Sequence, residues 1–159
     1  MKLSTQIANQ FREVYLNGKW IANTNLKEQL SDLSWQQATT KIDSLNSIAA
    51  LAFHLNYYTA GLIKVFEGGP LDIKDKYSFD MPPITSQEDW QMLINTIWSN
   101  AEKFATLVEQ MPDEKLWAPF IEEKYGNYYR NIISTIEHSY YHFGPVSYTH
   151  LTLPTIYSV

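Results

Sequence analysis

Apolar residues recur every three or four positions in four segments of the chain, as they do on one face of an amphipathic helix. These segments span residues 4–17, 44–67, 86–110 and 127–143. Serine or asparagine opens each segment, and Gly68-Gly69-Pro70 follows the second, so the ends carry residues that favour helix starts and stops. The pattern predicts four long helices. Similar capping residues predict two shorter helical pieces, near Asn25 and Ser34.

The segments between the helices differ in length. Residues 69–85 and 112–126 show no helical repeat, and several prolines interrupt them. A connection as long as 69–85 is unusual between neighbouring helices and indicates a crossover. No alternating pattern typical of strands competes with the helical one. We therefore predict an all-α four-helix bundle with a long crossover between its second and third helices.

Composition narrows the possible functions. The chain has 159 residues, of which 45% are hydrophobic and 18% charged, as in an ordinary globular domain. Because it has no cysteine, disulfides, thiolate metal sites and cysteine nucleophiles are excluded. A net charge of −5 disfavours nucleic acid as a partner, and no apolar run approaches the length of a membrane span. We expect a cytoplasmic protein that acts on a small molecule.

The C-terminal residues differ in character from the rest. All 12 basic and 17 acidic residues lie between Lys2 and Glu137. From Pro145 the run Val-Ser-Tyr-Thr-His-Leu-Thr-Leu-Pro-Thr resembles translated transposon-end adapter DNA from sequencing-library preparation. We therefore assign residues 1–144 to the bundle and 145–159 to a non-native, irregular tail. Because proline disfavours a helix before it, the fourth helix should end near Phe143, and we expect the native sequence to continue past Gly144.

Three histidines on the predicted helices could share a metal ion. His138 and His142 are four residues apart, which places both imidazoles on one helix face. His54 lies in or beside the apolar stripe of the second helix. A histidine pair at this spacing also occurs on ordinary surfaces, and a lone core histidine is usually satisfied by hydrogen bonds. The coincidence of all three at core-facing positions favours a divalent cation held inside the bundle.

Three other side chains are candidates for a substrate pocket beside these histidines. Tyr58 lies one turn from His54, Asn131 lies two turns before His138, and Tyr141 adjoins His142. Such side chains either line a pocket or simply pack in the core, and the sequence leaves both open.

Two motifs carry a resemblance to a known family. They are Leu-Asn-Ser-Ile-Ala-Ala-Leu-Ala-Phe-His54-Leu-Asn-Tyr-Tyr and Ile-Glu-His138-Ser-Tyr-Tyr-His142-Phe-Gly. Both resemble the DinB-like superfamily of bacterial metalloproteins, which are four-helix bundles. Residues 68–71, 75–80 and 123–130 resemble an uncharacterised branch of that superfamily. The resemblance covers residues 1–144 and departs at Pro145, where relatives tend to have glutamine.

The resemblance implies that His54, His138 and His142 bind a divalent cation, commonly zinc or nickel. Characterised members of the superfamily include thiol-dependent S-transferases and a maleylpyruvate isomerase. The leading expectation is therefore metal-dependent transfer of a low-molecular-weight thiol to a small electrophile. Metal-dependent hydrolysis and non-catalytic binding of a metal or small molecule remain alternatives, and a homodimer is left open. An enzyme would have open coordination positions facing a pocket, whereas a structural site would be closed by a fourth ligand.

Overall fold

Helices form the regular structure of this protein in the computed structural model, which describes residues 1–19 and 23–147. In those ranges there is no strand, and the prediction of an all-α protein is confirmed. The α-helices are α1 (Leu3–Arg12), α2 (Leu26–Ser31), α3 (Trp35–Thr39), α4 (Ile48–Phe66), α5 (Gln87–Gln110), α6 (Asp113–Trp117) and α7 (Tyr128–Pro145). A π-helical turn, Glu13–Asn17, continues α1, and short 3-10 turns lie at Asp75–Tyr77 and Glu123–Tyr125.

The four long helical segments pack through their apolar faces. α5 packs along both α1 and α4, and α7 contacts α4, α1 and the π-helical turn. The largest fully buried side chains come from different helices and include Phe11, Trp90, Phe104 and Ile132. Burying a side chain of this kind contributes about 1.5–3 kcal/mol, so these shared apolar faces hold the helices together. Each helix in the described part of the chain is too short or too polar to cross a membrane.

Polar side chains begin most of the helices at the predicted residues or close to them. Ser86 and Asn127 accept backbone hydrogen bonds at the starts of α5 and α7, and Ser47 does so for α4. Among the helices that the sequence predicted, the exception is α1, where the expectation of a cap by Ser4 is wrong. The carboxylate of Asp113, at the start of α6, instead accepts the N–H groups of Leu3 and Ser4, both at 3.0 Å.

Two further sequence predictions are corrected. Residues 112–126, predicted to be irregular, contain α6, whose Leu116 is fully buried. The fourth long helix does not end near Phe143 but continues to Pro145, followed by a helical turn at residues 146–147. Proline removes one backbone donor from the helix. The next residue, Val146, still donates its N–H to the carbonyls of His142 and Phe143. The Val146 side chain is only 3% exposed, so its burial also favours the continued helix. Residues 148–159 of the predicted tail lie outside the described residues.

The crossover, residues 69–85, is attached to the middle of α4. The Tyr57 hydroxyl donates to the Lys74 carbonyl at 3.0 Å and accepts from the Lys74 N–H at 2.9 Å. The Tyr58 hydroxyl donates to Asp75 Oδ1 at 2.9 Å. Gly61 lets Ile73 approach the helix closely, since a Cβ added at Gly61 would overlap the Ile73 side chain. These contacts place the crossover beside the same turns of α4 that carry His54.

Candidate metal centre

Three imidazoles meet between α4 and α7, as the sequence predicted. The Nε2 atom of His138 lies 3.2 Å from His54 Nε2 and 2.9 Å from His142 Nε2. One ligand atom from each of the three residues lies within 4.8 Å of the others. We call these residues, His54, His138 and His142, the histidine group. His138 and His142 are one turn apart on α7, whereas His54 comes from the middle of α4.

Burial lowers the pKa of every imidazole in the group. His54 is only 7% exposed, and its pKa is lowered first by burial and then by the charge that His138 would carry. Smaller effects from the Ser78 backbone and the Asp75 carboxylate raise it. Burial also lowers the pKa of His138, and burial with the two neighbouring imidazoles lowers that of His142 to about 4. The group is therefore neutral at pH 7, the state in which imidazole binds metal.

Aromatic rings hold the imidazole of His54. Phe79, from the crossover, stacks on it with ring centroids 4.2 Å apart and an interplanar angle of 15°. Tyr58 meets the rings of His54 and His138 edge-on, at 5.0 and 5.2 Å. Among the described residues, the buried Nδ1 atom of His54 has no partner in full hydrogen-bond geometry, although the Ser78 backbone lies close enough to raise the pKa of the imidazole. Ring contacts and the nearby Ser78 backbone therefore orient this imidazole, where a metal-binding histidine usually makes a full hydrogen bond.

The donor set suits a divalent cation. Two nitrogens bound to one zinc ion at about 2.1 Å lie roughly 3 to 3.4 Å apart, close to the two separations found at His138. A neutral imidazole has a lone pair on one ring nitrogen, and three such nitrogens within 4.8 Å of one another favour a cation among them. Among the described residues the group contains three ligands and no fourth. Three protein ligands leave coordination positions open, as in catalytic rather than structural zinc sites.

A cavity of about 460 Å³ opens beside His138. Its wall is formed by α4, the crossover, α7 and the loop before α7; the lining residues are Tyr58, Leu62, Leu71, Ile73, Asp75, Phe120, Tyr125, Asn131, Ser134, Thr135 and His138. Two of the candidate pocket residues, Tyr58 and Asn131, lie on this wall. The third, Tyr141, lies outside it, is 75% exposed and contacts the His142 ring edge-on.

Sequence reasoning missed the contributions of the crossover to the site. Phe79 covers one face of His54, and Asp75 binds the hydroxyl of Tyr58 at the cavity wall. The sequence distinguishes residues 75–80 only by their resemblance to an uncharacterised branch of the DinB-like superfamily. A segment without helical period gives no register from which the direction of its side chains could be inferred.

No family model, curated protein sequence or solved structure matches the chain. The histidine group and the cavity next to it are therefore the features of this protein that bear on its function.

Proposed function

We propose that the protein is a DinB-like four-helix metalloprotein whose histidine group binds a divalent cation, zinc or nickel. The observation that carries the proposal is the convergence of three neutral imidazoles beside a cavity. Two further features support it. The long helical segments α1, α4, α5 and α7 share one core. One histidine of the group lies on α4 and two lie on α7, the arrangement expected from the resemblance.

The reaction that we propose is transfer of a small thiol to an electrophilic carbon. A divalent cation at the histidine group would lower the pKa of a bound thiol and so increase the fraction of thiolate near neutral pH. The chain has no cysteine, so the thiol would come from solution. The thiol would release its proton to solvent and its sulfur would form a bond to carbon, while the bond from that carbon to the leaving group would break, the leaving group keeping the electron pair. The apolar wall of the cavity, with Leu62 and Phe120, would hold the electrophile and exclude water.

Metal binding is tested first, by zinc titration against a competing chelator and by elemental analysis. We expect one zinc ion per chain, and its loss in His138→Ala without loss of helical circular dichroism, because the apolar core stabilises the helices. His150→Ala is the matched control, since it removes the one histidine outside the group and should keep the metal. Stoichiometric zinc in the double variant His54→Ala/His138→Ala would show that the ligands are misassigned.

The reaction is tested with metal-loaded protein, a small thiol and 1-chloro-2,4-dinitrobenzene, which releases chloride when sulfur attacks. We expect turnover that is lost in His138→Ala and retained in His150→Ala. Thiol-independent cleavage of p-nitrophenyl acetate would instead assign hydrolysis. Zinc binding with neither reaction would favour the non-catalytic binding protein.

A further inference from the structure

The cavity has an uneven distribution of charge. His138 lies on its wall, and Asp75, from the crossover, lies there as well. The rest of the lining combines apolar side chains, such as Leu62 and Phe120, with uncharged polar ones, such as Asn131 and Thr135. Among the described lining residues Asp75 is the only aspartate or glutamate, and there is no lysine or arginine. A ligand that fills the cavity would therefore meet a carboxylate with no cation on the lining to neutralise it.

One hydrogen bond holds the carboxylate of Asp75 in place, and the carboxylate can still accept hydrogen bonds from a ligand. One of its oxygens accepts the Tyr58 hydroxyl at 2.9 Å, and a carboxylate offers about four acceptor sites in all. Among the described residues no lysine forms an ion pair with Asp75, including its sequence neighbours Lys74 and Lys76. The Lys76 ammonium lies 4.6 Å from the centre of the Tyr77 ring, and Lys64 pairs with Asp72.

We propose that the thiol used by this protein carries a protonated amine, with its sulfur toward the histidine group and its ammonium toward Asp75. This inference rests on the proposed thiol transfer and adds the chemical class of the thiol. The Tyr58 side chain links the two ends, since its ring contacts His138 and its hydroxyl binds Asp75. A thiol bearing a carboxylate at the same position would be repelled by Asp75, and a neutral thiol would gain nothing from it.

The test uses cobalt-loaded protein and three rigid thiols, whose sulfur gives a charge-transfer absorption band on binding cobalt. The probes are 4-(aminomethyl)benzenethiol, 4-(hydroxymethyl)benzenethiol and 4-mercaptobenzoate, whose second polar group cannot reach the same metal ion. We expect the amine to bind about two- to five-fold more tightly than the alcohol, the range of a solvent-accessible ion pair, and the carboxylate to bind most weakly. Asp75→Asn should equalise the amine and the alcohol. Asp72→Asn, in the same crossover but outside the cavity lining, should leave the preference unchanged.

The outcomes separate this inference from the proposed function. If none of the three thiols produces the band, thiol binding itself fails. If all three bind equally, or if Asp75→Asn keeps the preference for the amine, the sulfur site stands and the role of Asp75 is wrong. Salt provides a measurement on the unmodified protein, because a preference due to charge should shrink as ionic strength rises. A preference independent of salt would also overturn the inference.

Discussion

At the scale of single residues, the histidine group combines burial with mutual proximity. Each imidazole lies where a positive charge would lose water, so burial lowers the pKa of all three. Neighbouring imidazoles lower the pKa of His54 and His142 further. The same arrangement presents unprotonated nitrogens to a cation. The proposed metal binding and the resistance to protonation would therefore have one physical cause, and both can be measured.

The lowered pKa values predict how the stability of the metal-free protein depends on pH. The pKa of His142 is lowered to about 4 in the folded protein, from an ordinary value of 6.5 for histidine. As the pH falls between these values, the unfolded chain binds more protons than the folded one, so the free energy of unfolding decreases. We expect urea denaturation to show this decrease in the wild type and a shallower one in His142→Gln. If the free energy of unfolding fell equally steeply with pH in the two proteins, the lowered pKa of His142 would be contradicted.

Phe79 is predicted to strengthen metal binding without touching the metal. Its ring stacks on His54, whose Nδ1 makes no full hydrogen bond among the described residues. Loss of an aromatic contact costs about 0.5–1.5 kcal/mol, so Phe79→Ala should weaken zinc affinity by about 2- to 10-fold in chelator competition. Phe79→Tyr should retain the affinity because it keeps the ring. Tyr77→Ala removes another ring of the crossover as a control, and an equal loss there would point to general loosening of the segment.

At the scale of elements, α7 brings two of the three ligands and is fixed at several points. The Ser139 hydroxyl donates to the Thr135 carbonyl at 2.7 Å, so the Tyr15 hydroxyl, 2.8 Å away, donates to Ser139. Tyr15 is fully buried and belongs to the π-helical turn after α1. This contact, made by the residue directly after His138, fixes α7 against the π-helical turn. Its N-terminus is held separately, by Asn127.

The Asn127 cap is predicted to contribute measurably to stability. Its side chain accepts the Arg130 N–H at 2.8 Å at the start of α7. Replacing such a cap by alanine costs about 0.5–2 kcal/mol, so Asn127→Ala should lower the free energy of unfolding by this amount in urea denaturation. Asn127→Asp retains an acceptor and should keep most of the stability. Equal stability of the alanine and aspartate variants would show that the cap contributes nothing measurable.

At the scale of the whole molecule, the crossover completes the site that the helices begin. α4 and α7 supply the imidazoles, while the crossover supplies Phe79 above His54 and Asp75 on the cavity wall. Its attachment to α4 therefore shapes both the surroundings of the histidine group and the cavity. Gly61, where Ile73 packs against α4, is the point at which this attachment can be tested.

Gly61→Ala is predicted to destabilise the protein although alanine favours helices. The helix preference would gain up to about 1 kcal/mol, but overpacking against Ile73 costs typically about 1–3 kcal/mol. We expect a net decrease in the free energy of unfolding. In an Ile73→Ala background the clash is absent, so Gly61→Ala should then be neutral or stabilising. A destabilisation of the same size in both backgrounds would show that the close contact with Ile73 is not its cause.

Much of the fold and part of the site could be read from local patterns. The apolar period and the serine before Gln87 located α5, because helix formation depends on residues within a turn or two. The pairing of His138 with His142 followed from helix geometry alone. The cap of α1 could not be read in this way, because its acceptor, Asp113, lies more than a hundred residues away. The continuation of α7 to Pro145 likewise could not be read locally, because Val146, which follows it, is buried as a member of the hydrophobic core.

The sequence by itself determined the all-helical class and the three histidines, since period, caps and i, i+4 spacing are properties of neighbouring residues. Only the tertiary structure decided that His54 Nε2 lies 3.2 Å from His138 Nε2, because this distance depends on how α4 packs against α7. It also decided that Phe79 and Asp75 belong to the site and that Tyr141 faces away from the cavity. The crossover has no repeating pattern of its own, so its side chains are placed by its contacts with Tyr57, Tyr58 and Gly61 on α4.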